Sequence, residues 1–265
     1  MSLRTAAAHR NLLYLMAMKE LRTRYKKSVL GWLWSLLNPL VQMAIFSVIF
    51  LVVFVQPAPV GDPSGIENFP LYFLCGFIPF NFFAVSVATS IGAMQSGAQL
   101  VKKVAFPHEH LVFAVVVAQG ITVLIELSVL SVALLVAGNM VLPWLVPTLA
   151  IMALLAMATS GVALAVAAMN VFFHDVAYLW TIVSQLLFYS TPIIWNPASV
   201  DNRAMTIIAE YGPTGAFITA LHDTLYDLRM PDLGQWGLML AYSLTVFAIG
   251  AWVFGRLSPK FAEEL

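Results

Sequence analysis

The sequence predicts an all-α polytopic membrane protein with six transmembrane helices. An amphipathic interfacial helix precedes them, and two short re-entrant helices lie on the outer side before the last span. Three observations carry this. The 265 residues are 61% hydrophobic and 10% charged, with a mean hydropathy of +0.88, whereas water-soluble domains are roughly half apolar and about a quarter charged. Much of the surface must therefore face lipid. The apolar residues also gather into long continuous runs, and the basic residues fall almost entirely on one side of them.

A helix needs about 20 mostly apolar residues to cross the hydrocarbon core. Runs of that kind cover residues 34–55, 69–93, 111–137, 143–170, 177–195 and 236–255, which makes one membrane domain of the whole chain, residues 1–265. A transmembrane barrel would need alternating segments of about ten residues, and these runs are continuous. Gly138-Asn139-Met140-Val141-Leu142 separates the third and fourth runs, enough for a tight turn between antiparallel helices. No short apolar segment with a small-residue cleavage site precedes the first run, so that span is expected to be its own insertion signal.

Basic residues set the orientation. Arg4, Arg10, Lys19, Arg22, Arg24, Lys26 and Lys27 precede the first run, Lys102 and Lys103 sit between the second and third, and Arg256 and Lys260 follow the sixth. On the other side are only Arg203 and Arg229, with Asp62, Glu67, Asp201, Glu210, Asp223, Asp227 and Asp232. Eleven basic residues against two place both termini in the cytoplasm.

Two segments are not simple spans. In residues 11–27, Tyr14, Met18, Leu21 and Tyr25 recur at spacings of four, three and four, while Lys19, Arg22 and Lys26 occupy another face. That is an amphipathic helix suited to the headgroup boundary. It serves either as a surface anchor or also as a docking surface for a cytoplasmic partner. Residues 196–235 are too long for a turn and too polar for a full span. Their apolar pieces, 204–209 and 216–225, are interrupted at Tyr211-Gly212-Pro213, which predicts two short helices dipping into the outer leaflet. The alternative is a loop packed across the outer face.

Several functions are excluded. Zero net charge, with no basic patch interleaved with aromatics, gives no basis for nucleic-acid binding. No G-x-x-x-x-G-K-[ST] loop occurs, so the chain does not take ATP through a P-loop. Catalytic strings are absent as well. Cys75 is the only cysteine, which rules out an internal disulfide and a cysteine metal site. His9, His108, His110, His174 and His222 are scattered near the membrane faces and are expected to be surface residues. No catalytic, cofactor or metal site is predicted in this chain.

The run Arg24-Tyr25-Lys26-Lys27-Ser28-Val29-Leu30-Gly31-Trp32-Leu33-Trp34-Ser35-Leu36-Leu37-Asn38-Pro39-Leu40 resembles the opening of type-2 ABC exporter permeases, in the branch that exports O-antigen, teichoic acid and related cell-envelope polysaccharides. Leu100-Val101-Lys102-Lys103-Val104-Ala105-Phe106-Pro107, Asp175, Thr191-Pro192-Ile193-Ile194-Trp195 and Pro231-Asp232 match that family in kind and order. The chain departs from it at His108 and His174, where arginine is usual, and at Gly212-Pro213, where Asn-Pro is usual. It also lacks the usual arginine near His222-Asp223. The resemblance implies a multi-pass protein of the bacterial inner membrane that forms a homodimer. It further implies two copies of a separate nucleotide-binding ATPase subunit, which carry ATP and Mg2+. The implied cargo is a polysaccharide on a polyprenyl pyrophosphate lipid. Ala- and Val-rich usage, in keeping with a high-GC genome, adds a galactan to the candidates. A type-2 ABC permease for a small hydrophobic drug or lipid is the alternative.

Candidate site residues fall into three groups. The loop 99–110 offers Lys102, Lys103, Phe106, Pro107 and His108, an apolar knob beside charge, suited to a groove on a motor subunit. The family's name for such an element is a coupling helix; a bare charged loop is the alternative. Arg22, Arg24, Lys26 and Lys27 offer positive charge for a pyrophosphate headgroup or for anionic lipid. Trp34, Asn38 and Gln42 on the first span, Glu126 on the third, and Tyr178, Gln185, Tyr189 and Trp195 on the fifth are candidates for the sugar path. Aromatic plates and amides suit the apolar faces and hydroxyl edges of a sliding sugar chain. Interfacial belts for the aromatics and interhelical hydrogen bonds for Gln42, Gln185 and Glu126 remain open.

Overall fold

A computed structural model describes residues 12–22, 33–49, 58–97, 107–197 and 202–264. They form a helical protein. The helices are α1 (12–22), α2 (Leu33–Ser47), α3 (Phe69–Ser96), α4 (Glu109–Val136), α5 (Leu145–Phe172), α6 (Asp175–Ser190), α7 (Arg203–Tyr211), α8 (Gly215–His222), α9 (Leu233–Leu257) and α10 (Phe261–Glu264). Among the described residues there is no β-strand, only an isolated bridge between Val60 and Glu67.

Four segments are long and apolar enough to cross a membrane: Phe69–Ser96, Glu109–Val136, Leu142–Phe172 and Leu233–Lys260. They correspond to the second, third, fourth and sixth runs. Of the first run, the described part is helical from Leu33 to Ser47 and residues 50–55 lie outside the described set. The fifth run is helical for a shorter stretch than its apolar length suggests. α6 stops at Ser190, after 16 residues, and Thr191 turns extended at φ −84, ψ 142. Pro192 explains this, because the residue before a proline is pushed out of the helical region.

α3 is the central helix. Asn68 caps it, its side chain accepting from Leu71 N, and Pro70 occupies the first turn, where a missing N–H costs nothing. Phe73, Phe80 and Phe83 are buried along α3. Phe73 meets Phe46 of α2 at 3.9 Å, and Phe80 meets Phe188 of α6 at 5.5 Å. Cys75 is buried in the same core.

α9 packs on α5 through a glycine crossing. A Cβ on Gly250 would lie 2.0 Å from the Gly161 carbonyl oxygen, and one on Gly161 would lie 2.5 Å from Val246 O. Small residues let helix backbones approach in a membrane, where no hydrophobic force drives helices together. Ser243 Oγ donates across the same pair to Leu154 O at 2.8 Å.

The bundle has two ends. One gathers residues 58–68, the α4–α5 turn and residues 191–197 and 202–232, and is called distal. The other gathers the start of α4 and the last turns of α5 and α9. At the distal end the predicted two short helices are present as α7 and α8, separated at Gly212-Pro213-Thr214. A π-helical turn, Asp223–Asp227, follows α8.

In α1 the buried residues are Ala17 and Leu21, each 1% exposed, while Tyr14 is 63% exposed. Leu21 of the predicted stripe is thus buried and Met18 half-buried, while Tyr14 stands exposed.

Candidate functional site

The distal end is built around the π turn. Asn139, buried in the α4–α5 turn, donates through Nδ2 to Leu225 O and Tyr226 O, both at 3.0 Å. The Tyr226 hydroxyl donates toward Pro59 O and Ile66 O and accepts from Asn68 N at 2.9 Å. Ser64 N donates to Asp227 O at 3.1 Å. Residues 58–68 are thus clasped onto the turn by its own backbone and one phenol.

His222 departs from the surface role expected of it. It is 5% exposed, its ring stacks on Tyr72, and Nε2 lies 2.9 Å from Tyr72 O. Burial pushes its pKa down to about 4, so the ring is neutral. In isolation the residue reads as polar and exposed; its partner is 150 positions away.

Arg229 forms an ion pair with Asp223, supplying from downstream the cation that the sequence lacks beside His222-Asp223. Asp223 is nearly buried and Arg229 half exposed. Burial raises the Asp223 pKa, and the Arg229 hydrogen bond opposes that rise. The Asp227 pKa is pushed up to about 6 by burial and by the charge of Asp223. These groups border a cavity of about 730 Å3 whose wall includes Asp62, Glu210, Asp227, Asp232 and Gln235. Carboxylates and an amide are groups able to accept hydrogen bonds from hydroxyls. Among the described residues no group of three or more His, Cys, Asp or Glu is placed to hold a metal.

The sugar-path candidates separate into two environments. Tyr178 is 75% exposed and Tyr189 59%, and Gln185 is exposed beside them on α6. α6 is held to the bundle by its opposite side, where Trp180 Nε1 donates to Ala84 O at 3.3 Å and Phe188 meets Phe80. Trp195 is half-buried and linked to both α6 and α3, donating to Tyr189 O while its own carbonyl accepts from the Tyr72 hydroxyl. On α2, Trp34 is exposed and Gln42 half-buried; the Asn38 side chain lies outside the described residues. Glu126 is different. With Gln119 and Thr122 it is 8% exposed on α4, and Gln119 and Glu126 each interact with other groups of the chain. Glu126 does not share the open face of Tyr178 and Gln185.

Of the coupling residues, Lys102, Lys103 and Phe106 lie outside the described residues. Pro107 and His108 lead into α4, with Leu111 N donating to His108 O at 3.1 Å. Of the headgroup candidates, Arg22 is exposed at the end of α1, and Arg24, Lys26 and Lys27 lie outside the described residues.

Such a bundle, with four segments long and apolar enough to cross a membrane, has the form of a polytopic membrane protein. The model of the ABC-2 type transporter family matches residues 11–226, and the chain belongs to that family. It is 29% identical to an O-antigen export system permease protein RfbA of Klebsiella pneumoniae, over 96% of this chain and 95% of that protein. To the O-antigen export system permease protein RfbA of Myxococcus xanthus it is 27% identical, over 97% and 96%. A segment covering 31% of the chain is 35% identical to the polysialic acid transport protein KpsM of Escherichia coli, over 30% of that protein.

Proposed function

We propose that this chain is the membrane subunit of an ATP-driven exporter. It carries a polyprenyl-pyrophosphate-linked polysaccharide, of O-antigen, teichoic acid or galactan type, to the outer side of a bacterial inner membrane. It crosses six times with both termini cytoplasmic, and α7 and α8 re-enter the outer leaflet. The working unit is a homodimer joined to two copies of an ATPase subunit, which bind ATP and Mg2+.

One observation carries this reading: α6 is largely uncovered in the single chain, and Tyr178, Gln185 and Tyr189 stand on its exposed surface among Leu179, Ile182 and Leu186. Near-full-length similarity to O-antigen export permeases supports it. An amide exposed at mid-span is costly against lipid and useful against a hydroxyl-rich polymer. Trp34, Asn38, Gln42 and Trp195 complete that path, and Glu126 instead holds α4 within the bundle. Arg22, Arg24, Lys26 and Lys27 receive the pyrophosphate, by bidentate hydrogen bonds from arginine and point charge from lysine. Lys102, Lys103, Phe106, Pro107 and His108 form the contact with the ATPase.

Depletion of the chain in its host tests the proposal. Polysaccharide on its polyprenyl carrier accumulates in the cytoplasmic leaflet and disappears from the cell surface. Unchanged surface polysaccharide with no accumulated intermediate contradicts it.

A further inference from the structure

The last residues of the chain look like an ordinary charged tail, with Arg256, Lys260, Glu263 and Glu264 around Ser258-Pro259. One of them does not behave like a tail residue. Phe261 is 0% exposed. After α9 a short 3-10 turn, Ser258–Lys260, carries the chain round so that Phe261 tucks under the bundle.

Its ring meets three others, each from a different element. Phe254, in the last turns of α9, lies 5.3 Å away at 85°, the edge-to-face arrangement that aromatic quadrupoles favour. Phe172, the last residue of α5, is 6.1 Å away. His108, leading from the loop 99–110 into α4, is also 6.1 Å away. His108 and Phe172 are 64 residues apart in sequence and Phe254 lies on a further helix, so one tail side chain fastens three helix ends together.

We propose that Phe261 is a positioning residue for coupling: it pins the exit of the loop 99–110 to the ends of α5 and α9. When the ATPase displaces the loop, α5 and α9 then move with α4 as one body. This rests on the proposed role of the loop as the ATPase contact. Rigid packing of this kind transmits displacement because an interior packed without voids has nowhere to absorb it. The contact is made by the aromatic ring of Phe261.

The test uses the complete complex with its ATPase. Phe261→Ala lowers polysaccharide exported per ATP hydrolysed by roughly five-fold, with ATP hydrolysis by the assembled complex within about two-fold of the parent. Phe261→Leu, which keeps an apolar filling, recovers most of the loss. Export that falls only in proportion to assembled complex overturns the proposal. Hydrogen exchange on the unmodified complex decides it independently of whether Phe261→Ala assembles. Residues 107–110 and 261–264 should change protection together on nucleotide trapping, and a response confined to 107–110 overturns the pin. A complex that hydrolyses ATP yet moves no polysaccharide removes the export reading instead, and the exchange comparison still decides the pin.

Discussion

His222 donates from Nε2 to the carbonyl oxygen of Tyr72 at 2.9 Å while its ring lies flat on the Tyr72 phenol, with centroids 4.1 Å apart and planes within 6°. A carbonyl only accepts, so the proton is on Nε2. Gly76 makes room for the ring: a Cβ there would lie 2.9 Å from His222 Cε1. This contact fastens α8 to the central helix. His222→Ala should lower stability in detergent by about 1–3 kcal/mol, and Gly76→Val should do at least as much. Thermal unfolding of the purified chain measures both, and unchanged melting for either contradicts the contact.

The distal end should respond to acid through one histidine opposed by two carboxyls. The His222 pKa is depressed to about 4. Its contribution is therefore present above the ordinary histidine pKa of about 6.5 and is lost as pH falls toward 4. The Asp227 pKa is raised to about 6, so its contribution is present below the ordinary carboxylate pKa of about 3.9 and is lost as pH rises through 6. Asp223 is raised as well and acts in the same sense as Asp227. Between about pH 4 and 6 the two carboxyls together outweigh the single histidine, so the melting temperature of the unmodified chain should drift slightly down as pH rises. His222→Phe should make stability fall more steeply as pH rises across that window, and Asp227→Asn should shift the slope upward. The same slope in all three proteins contradicts the assignment.

The α5–α9 crossing gives the largest expected effect. Gly250→Leu drives a side chain into the backbone at Gly161, where even a Cβ would stand 2.0 Å from the carbonyl oxygen. Destabilisation of about 3 kcal/mol or more is expected. Gly255→Ala, on the same helix with nothing within 4 Å of its Cβ, should stay within about 0.5 kcal/mol. Yield and melting of the two variants make the comparison; equal behaviour contradicts the close crossing.

Much of this architecture was legible because lipid imposes a simple rule. Long apolar runs became α3, α4, α5 and α9, and the break at Gly212-Pro213 became the gap between α7 and α8. Legibility fails where a residue's role depends on a partner far along the chain. His222 reads as an isolated polar residue until Tyr72 and Gly76 are beside it. Gly161 and Gly250 read as weak points in helices until they face each other. Phe261 sits in a charged tail, and its three ring partners have no sequence signature. Among the path candidates, apolar periodicity placed Gln185 and Glu126 equally well at mid-span. Packing separates them, since one faces outward and the other into the bundle.

That separation is testable. Gln42→Leu and Gln185→Leu should slow export per assembled complex while leaving stability nearly unchanged, because a sliding polymer needs replaceable hydrogen-bond partners. Glu126→Gln should act on stability, with export per assembled complex close to normal. For amides that join helices, the loss expected is about 0.6 kcal/mol of stability with normal specific export. That outcome for Gln185→Leu contradicts the path.

The central claim, that this permease moves a lipid-linked polysaccharide, is tested most directly in inside-out vesicles containing the chain and its ATPase. Lipid-linked polysaccharide is presented on the exposed cytoplasmic face, and its protection from an added glycosidase is followed. ATP-dependent protection that needs both subunits is the expected result. No protection by ATP, together with ATP-dependent movement of a hydrophobic dye or a plain lipid by the same vesicles, contradicts it.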